Sequence, residues 1–471
     1  MYITPNPIAW LVLLSWPLVT YLFFRKMTPD RALIWTVLGA YMLLPPLLKI
    51  DLPVVPDVSK DSLPGLLGVV MVLFVLKDRL SFIPQSWIGR CLLVVFVLSP
   101  FATVLTNGEP IPKGPREVIQ GMRIYDSLAA VINQGIEILP FFLARRYLAS
   151  EDAMRNLLLA LVTAGLIYSV PMLIETQLSP QMNVWIYGYF QHDFWQTVRA
   201  GGYRPIVFMP HGLWVAFFAF MAVLAAATIF KVGPALRRPK QGAVTLYLLA
   251  MVAACKSMGA IVYSAVLIPV MLMAPRRWQV LMASAVAVLV MTYPILRGAH
   301  LIPMHEVTEF AAKFSADRAA SFQFRLDNEE LLLAHAERKI LFGWGGYGRN
   351  MVYDEVTGRS NIADGMWIIT MGIYGWTGYI AQFGLLVLPL LLLGREVWSQ
   401  RSPVSPWMAS LSLIFAANLL DLLPNGTLIP FTWLMAGALM GQAEALARQR
   451  KLDKAADIAA QWHPKAGRTV I

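Results

Sequence analysis

Charge is what this chain has little of. Only 14% of its 471 residues are Asp, Glu, Lys or Arg, while 57% are hydrophobic and the mean hydropathy is +0.58. An average soluble domain carries about 25% charged residues, so an ordinary water-soluble enzyme is excluded. Cysteine is scarcer still. Cys91 and Cys255 both lie in apolar stretches, which excludes a disulfide framework and a cysteine-based zinc site. The six histidines are scattered, with His300 and His305 forming no more than a loose H-x4-H, and neither metal nor cofactor is expected. No Lys or Arg precedes Arg25, so the first apolar run lacks the basic start of a signal peptide and reads as a first span. No fixed-period repeat is apparent.

What the chain has is apolar runs. A hydrocarbon core about 30 Å thick takes about 20 apolar residues as helix. Thirteen runs approach that length: 7–24, 32–48, 63–76, 88–105, 126–144, 157–178, 208–230, 242–256, 258–274, 278–296, 366–393, 404–422 and 427–446. Runs 242–256 and 258–274 are parted only by Lys256–Ser257, and read either as two short spans or as one broken, re-entrant element. The expected fold is all-α: a polytopic membrane domain over 1–448, with about 12–13 transmembrane helices and a long helical outer loop at 297–365. A polar cytoplasmic tail, 449–471, follows.

The net charge of +11 would suggest nucleic acid in a soluble protein, but the apolar runs leave no soluble domain to hold such a site. No nucleic-acid partner is expected. Instead, 23 of the 39 Lys and Arg fall in one set of alternate loops: 25–31, 77–90, 145–155, 231–240, 275–277, 394–401 and the tail from 448. Half of the other 16 lie in loop 297–365, and long loops translocate largely regardless of charge. The expectation is an N-terminus outside and a C-terminus in the cytoplasm.

Three long segments, 106–125, 179–207 and 297–365, lie on the outer side of this scheme, where a site would be built. In 179–207 the aromatics Trp185, Tyr187, Tyr189, Phe190, Phe194 and Trp195 fit an interfacial belt. Arg204, between Gly201–Gly202 and Pro205, sits at the mouth of a span with His211 just beyond. Its guanidinium would either grip a phosphate with two parallel hydrogen bonds or snorkel to the headgroups. Lys256, in ACKSMGA, is an intramembrane cation, either functional or paired with a structural carboxylate such as Glu175. Glu137, Glu175 and Asp421 are candidates on the same ground. In 297–365, Leu326, Leu331, Leu332 and Leu333, then Ile340 and Leu341, mark an amphipathic helix. GWGGYG at 343–348 matches G-x-G-x-x-G formally but lacks the flanking strand and helix of a dinucleotide site. A glycine turn at a close backbone approach fits better. Arg349, Asp354, Glu355 and Arg359 cluster before span 366–393. Asp364 at its entrance reads as a helix cap, as a carboxylate for proton abstraction or hydroxyl binding, or as both. NGT at 425–427 matches a glycosylation acceptor too close to a span to carry weight.

Three local patterns over about 200–390 then resemble the O-antigen ligase and polysaccharide polymerase superfamily, the Wzy-like and WaaL-like membrane glycosyltransferases. They are YRPIVFMPHG; CKSMGA; and FRLDNEELLLAHAERKILFGWGGYG followed by IADGMWIITMGIYGWTGYIAQFGLL. The resemblance implies a GT-C-like bundle in the bacterial inner membrane, acting at its outer face on undecaprenyl-diphosphate-linked oligosaccharides. It implies Arg204 and Lys256 as pyrophosphate-binding cations and Asp364 as a catalytic or acceptor-positioning residue. Arg325, His211, Arg349, Arg359 and Tyr353 are the expected substrate contacts. Partners implied are the lipid-linked glycan, membrane lipids, a chain-length regulator and a flippase. Ligases of this family carry His-Asn where this chain has Ala363–Asp364, and Ser-Arg where it has Lys256–Ser257. The lost His favours a polymerase over a ligase. A lipid-linked oligosaccharide flippase or other transporter is the alternative of another class, but it calls for inverted repeats and midplane charges, which the sequence lacks.

Overall fold

The computed structural model describes residues 4–52, 55–199, 201–313, 316–399 and 404–462. Its helices are α1 (Pro7–Lys26), α2 (Pro29–Leu43), α3 (Leu63–Phe74), α4 (Trp87–Leu105), α5 (Ile124–Tyr147), α6 (Glu151–Leu178), α7 (Met182–Tyr187) and α8 (Gly212–Val232). They continue with α9 (Arg238–Ala254), α10 (Met258–Met273), α11 (Arg276–Gly298), α12 (Met304–Ala312), α13 (Ala316–Glu337), α14 (Met366–Ser399), α15 (Pro406–Asp421) and α16 (Pro430–Trp462). Among the described residues, strands occur only as short antiparallel hairpins: β1 (Lys49–Leu52) with β2 (Val55–Ser59), β3 (Ile111–Lys113) with β4 (Glu117–Ile119), and β5 (Val198–Arg199) with β6 (Gly202–Tyr203).

Each of the thirteen apolar runs falls on one helix: α1–α6, α8–α11 and α14–α16. The starts are marked chemically. Asn6, Ser86 and Ser150 accept hydrogen bonds from the backbone N–H groups of Ala9, Gly89 and Ala153, satisfying donors that the first helical turn leaves free. Among the described residues seven helices, α1, α4, α5, α6, α8, α11 and α14, are long and apolar enough to cross a membrane, as a multi-pass membrane protein requires. Helix α8 is the central one. Val215–Thr228 are all buried, whereas α1 and α4 leave large apolar side chains such as Leu11, Leu14, Val94 and Leu98 exposed.

Polar contacts tie the connections into two ends. At one end Asp78 meets Arg146 and Tyr147, Glu444 meets Arg145 and the Gln85 N–H, and Arg450 pairs with Glu396. Arg276 and Arg277 reach the carbonyls of Val404 and Trp398, and Arg155 lies over the Trp407 ring. These are the loops that the charge count grouped together. The opposite end gathers 44–62, 106–123, 179–211, 255–257, 299–365 and 422–429. Lys60 bonds the carbonyls of Leu44 and Phe208 there, Lys339 bonds Thr106 and Asn107, and Arg325 reaches Asn425.

Around Lys256 the chain forms a helical pair. At the N-terminal end of α9, Gln241 packs against Gly233, which follows α8. At the C-terminal end of α10, Lys231 bonds the carbonyls of Met271 and Ala274. Helices α9 and α10 are therefore two antiparallel rods clasping α8, with 255–257 as the tip between them. A second expectation needs correction. The amphipathic helix α13 buries Leu326 and Leu332 but stops at Glu337, so Ile340 and Leu341 lie outside it.

Those two residues enter a break in α14. Gly375 there has φ 62° and ψ −161°, a conformation essentially confined to glycine. The break frees backbone groups, and the loop before α14 satisfies them. Trp344 N–H donates to Gly372 O (2.8 Å) and Gly345 N–H to Ile373 O (2.9 Å). In return Trp376 N–H donates to Ile340 O (2.9 Å) and Thr377 N–H to Leu341 O (3.1 Å). The glycine turn thus makes its close approach to another backbone. A Cβ on Gly343 would sit 2.5 Å from the Ile373 carbonyl, and one on Gly375 would sit 2.5 Å from the Leu341 carbonyl carbon.

The helix α16 runs through residue 448 without interruption to Trp462. The last part of the expected tail, 463–471, lies outside the described residues.

Candidate functional site

The site begins with the anchoring of segment 179–211. Glu175, near the end of α6, accepts three backbone hydrogen bonds, from Met182 N (2.9 Å), Ile206 N (2.7 Å) and Val207 N (2.8 Å). Its carboxylate is spent on backbone, so Glu175 is not the ion partner of Lys256. The Tyr168 hydroxyl accepts from Phe208 N (3.0 Å), and Gln191 donates to the carbonyls of Val207 and Met209. Tyr187 and Tyr189 are buried, with their hydroxyls donating to the carbonyls of Leu43 and Pro46. These two rings are therefore structural anchors and not members of an exposed belt, while Trp185 and Trp195 do stay exposed. Lys60 closes the seam, and burial pulls its ammonium down to about 7.

On this frame Arg204 is held in the loop-rich end. Its backbone N–H donates to Thr197 O (2.8 Å), its Nη2 to Lys256 O (3.3 Å), and the residue is only 8% exposed. Among the described residues its Nε has no hydrogen-bond partner. Burial, reinforced by Arg199 and Arg325, lowers the guanidinium to about 10, still charged at neutral pH. Lys256 sits at the tip between α9 and α10 in a left-handed conformation (φ 51°), with Nζ donating to Arg199 O (3.0 Å). Two glycines make room for these cations. A Cβ on Gly202 would overlap the Lys256 ammonium, and one on Gly212 would overlap the Arg204 stem.

His211 caps α8: its Nδ1 accepts from Leu213 N (2.9 Å), and its ring packs on His192 at 4.4 Å between centroids. Burial first, then His192, Arg204, Arg325 and Arg199, push its pKa down to about 3. The imidazole is thus neutral and presents Nε2–H. From α13, Arg325 pairs with Asp364 (3.4 Å) and reaches Asn425 (3.5 Å). Asn425 and Thr427 both donate to Asp421, at 3.0 and 3.2 Å, which gives the NGT triplet a use. The first N–H of α14, on Met366, donates to Leu422 O. Among the described residues the Asp364 side chain makes no hydrogen bond to that helix start, so it is an ion partner and not a cap. Arg199, Arg204, Lys256 and Arg325 outnumber the carboxylates Asp364 and Asp421, and the cluster suits an anion.

The remaining candidates form a second group around the glycine turn. Arg349 is fully buried, donating to the carbonyls of Trp344 (3.1 Å) and Gln120 (3.0 Å), with Glu109 at 3.8 Å. Its guanidinium knits hairpin β3–β4 to the turn. The Tyr353 hydroxyl donates to Gly348 O (3.0 Å). Arg359 is exposed, and its side chain makes no hydrogen bond among the described residues. Asp354 is occupied by the N–H groups of Val356 and Thr357, so the acidic and basic residues before α14 do not form one cluster.

Arg199 and Asn425 were not expected here. Arg199 had a readable signal, since VRAGGYR places two arginines about a glycine pair at the same mouth. Asn425 had none, because its partner Arg325 lies 100 residues away. No protein-family model matches the chain, and no curated protein matches it.

Proposed function

We propose that this chain is an integral-membrane glycosyltransferase that polymerises undecaprenyl-diphosphate-linked oligosaccharide repeat units into a surface polysaccharide, such as O-antigen, capsule or exopolysaccharide. In this reading it belongs with the Wzy-like and WaaL-like enzymes, and its helices make a GT-C-like bundle of 12–13 spans in the bacterial inner membrane. The loop-rich end faces the periplasm, the N-terminus lies outside and the tail is cytoplasmic. A flippase supplies the donor, and a chain-length regulator acts beside it.

One observation carries the reading: the Nε of Arg204, buried and without a partner among the described residues, lies within a group of four cations at the mouth of a helical bundle. A diphosphate leaving group needs such donors. Negative charge builds on it as the anomeric C–O bond breaks, and preorganised charged donors stabilise that change. In the proposed step the acceptor hydroxyl oxygen bonds to the anomeric carbon and the lipid diphosphate departs onto Arg204 and Lys256. The hydroxyl proton passes to a carboxylate, for which Asp364 beside Arg325 is the candidate. His211 offers an uncharged donor, Nε2–H.

The test is complementation of a deletion strain, reading polymer length on gels. Arg204→Ala is expected to leave single capped units, because a lost charge-assisted bond costs about 1.5–3 kcal/mol, a rate factor of roughly 10 to 150. Full-length polymer with Arg204→Ala would overturn the site. Accumulation of lipid-linked polymer in the deletion strain would identify a ligase instead, and accumulation of repeat units on the cytoplasmic leaflet a flippase.

A further inference from the structure

A cavity of about 190 Å³ lies beside the break in α14, between that helix, the outer parts of α4 and α5, and the glycine turn. It is separate from the cation cluster: none of Arg204, Lys256, His211 or Arg325 lines it. Drug-sized ligands occupy pockets of roughly 300–1,000 Å³, so this one suits a single small ring. Its lining is of two kinds. Val104 and Ala130 supply an apolar wall, Tyr374 a half-buried aromatic ring, and the exposed Tyr347 a second ring at the mouth. Asn133 and Asp126 supply the polar groups.

The polar groups are largely uncommitted. Among the described residues the Asn133 amide and the two phenol hydroxyls make no hydrogen bond. Asp126 uses one oxygen to accept from Arg123 N (2.7 Å), which leaves the other for a ligand. The site offers donors and acceptors side by side, without a cation. A carboxylate in the wall repels an anion, and the small volume excludes a lipid chain. Irregular backbone at membrane depth is tolerated where it is buried in protein or lines a cavity, and broken helices build polar sites in membrane proteins. The geometry points to a site for one uncharged sugar ring, its C–H face on the tyrosines and its hydroxyls on Asn133 and Asp126. Binding of sugar here stands on the cavity alone. Its role as the acceptor subsite rests on the polymerase reading.

The test is saturation-transfer difference NMR on the full chain in detergent, with free glucose, galactose, N-acetylglucosamine and rhamnose at millimolar concentration. Transfer to at least one sugar is expected. Ala130→Trp, which fills the cavity, and Tyr347→Asn, which removes a ring while suiting the left-handed backbone (φ 59°), are each expected to reduce that transfer at least fivefold. Gly259→Ala, with open space around its Cβ, is expected to keep it. If Ala130→Trp fails to elute as a folded particle, Tyr347→Asn decides. No transfer from any sugar, or transfer that survives the folded cavity variants, would overturn the site. Sugar transfer without any Arg204-dependent polymer in cells would overturn the polymerase reading while leaving the sugar site standing.

Discussion

Substituting Gly375 with alanine tests whether the loop and the broken helix are one structure. The conformation at Gly375 is essentially glycine-only, and holding another residue there costs about 1–3 kcal/mol. The new Cβ would also lie 2.5 Å from the Leu341 carbonyl carbon and 2.6 Å from Phe342 N. Both are backbone atoms, so the loop has to move away. Four backbone hydrogen bonds flank this contact. If two are lost, at about 1 kcal/mol each, the total becomes roughly 3–5 kcal/mol, a large part of the 5–15 kcal/mol typical of a folded protein. The assay is thermal unfolding in detergent, followed by tryptophan fluorescence, with Trp344 inside the stitched segment. Gly135→Ala is the control. Gly135 lies within α5 with nothing within 4 Å of its Cβ, so alanine should stabilise by about 0.5–1 kcal/mol. Equal effects of Gly375→Ala and Gly135→Ala would refute the stitched break.

Three further outcomes follow from the loop-rich end. Gly202→Ala is expected to displace the flexible Lys256 head, so polymer formation falls while the melting temperature shifts by less than that of Gly375→Ala; unchanged polymer length would refute Lys256 as a working cation. Glu175→Ala should destabilise by about 3 kcal/mol or more, since it strips the acceptor from three N–H groups whose desolvation costs about 1–3 kcal/mol each when unpaired; denaturant titration of the purified chain reads it. His211 is held neutral in the fold, with a pKa near 3 against about 6.5 when unfolded. The unfolded chain therefore binds the extra proton first as pH falls, and stability declines below pH 6.5, by about 2 kcal/mol between pH 7 and 5. His211→Asn keeps a capping acceptor and should flatten that part of the pH dependence; an unchanged slope would refute the assignment.

What was legible in the sequence is what burial in an apolar medium dictates locally. A run such as 208–230 reads as helix because an apolar medium leaves its backbone no water to bond, and α8 covers all but its first four residues. The mouth of the site was legible in part, because Arg204 beside paired glycines and Lys256 between two apolar runs are costly placements that stand out singly. The partners were not. Glu175 and Arg349 read as functional charges, yet both are occupied by backbone groups, Arg349 by a carbonyl 229 residues away. No spacing rule reaches that far. Gly375 was invisible for another reason: hydropathy averages over the whole of 366–393, and a single glycine-only conformation leaves that average unchanged.

The break in α14 also constrains the order in which the molecule is assembled. Residues 340–345 are synthesised before α14, so their pairing groups stay unmatched until that helix forms. Helix α14 in turn enters with a gap in its own ladder that no residue within it can close. Each is incomplete until it meets the other, so residues 340–345 and α14 are expected to form together. A chain truncated after the loop but before Gly375 lacks the partner backbone that the loop needs to fold.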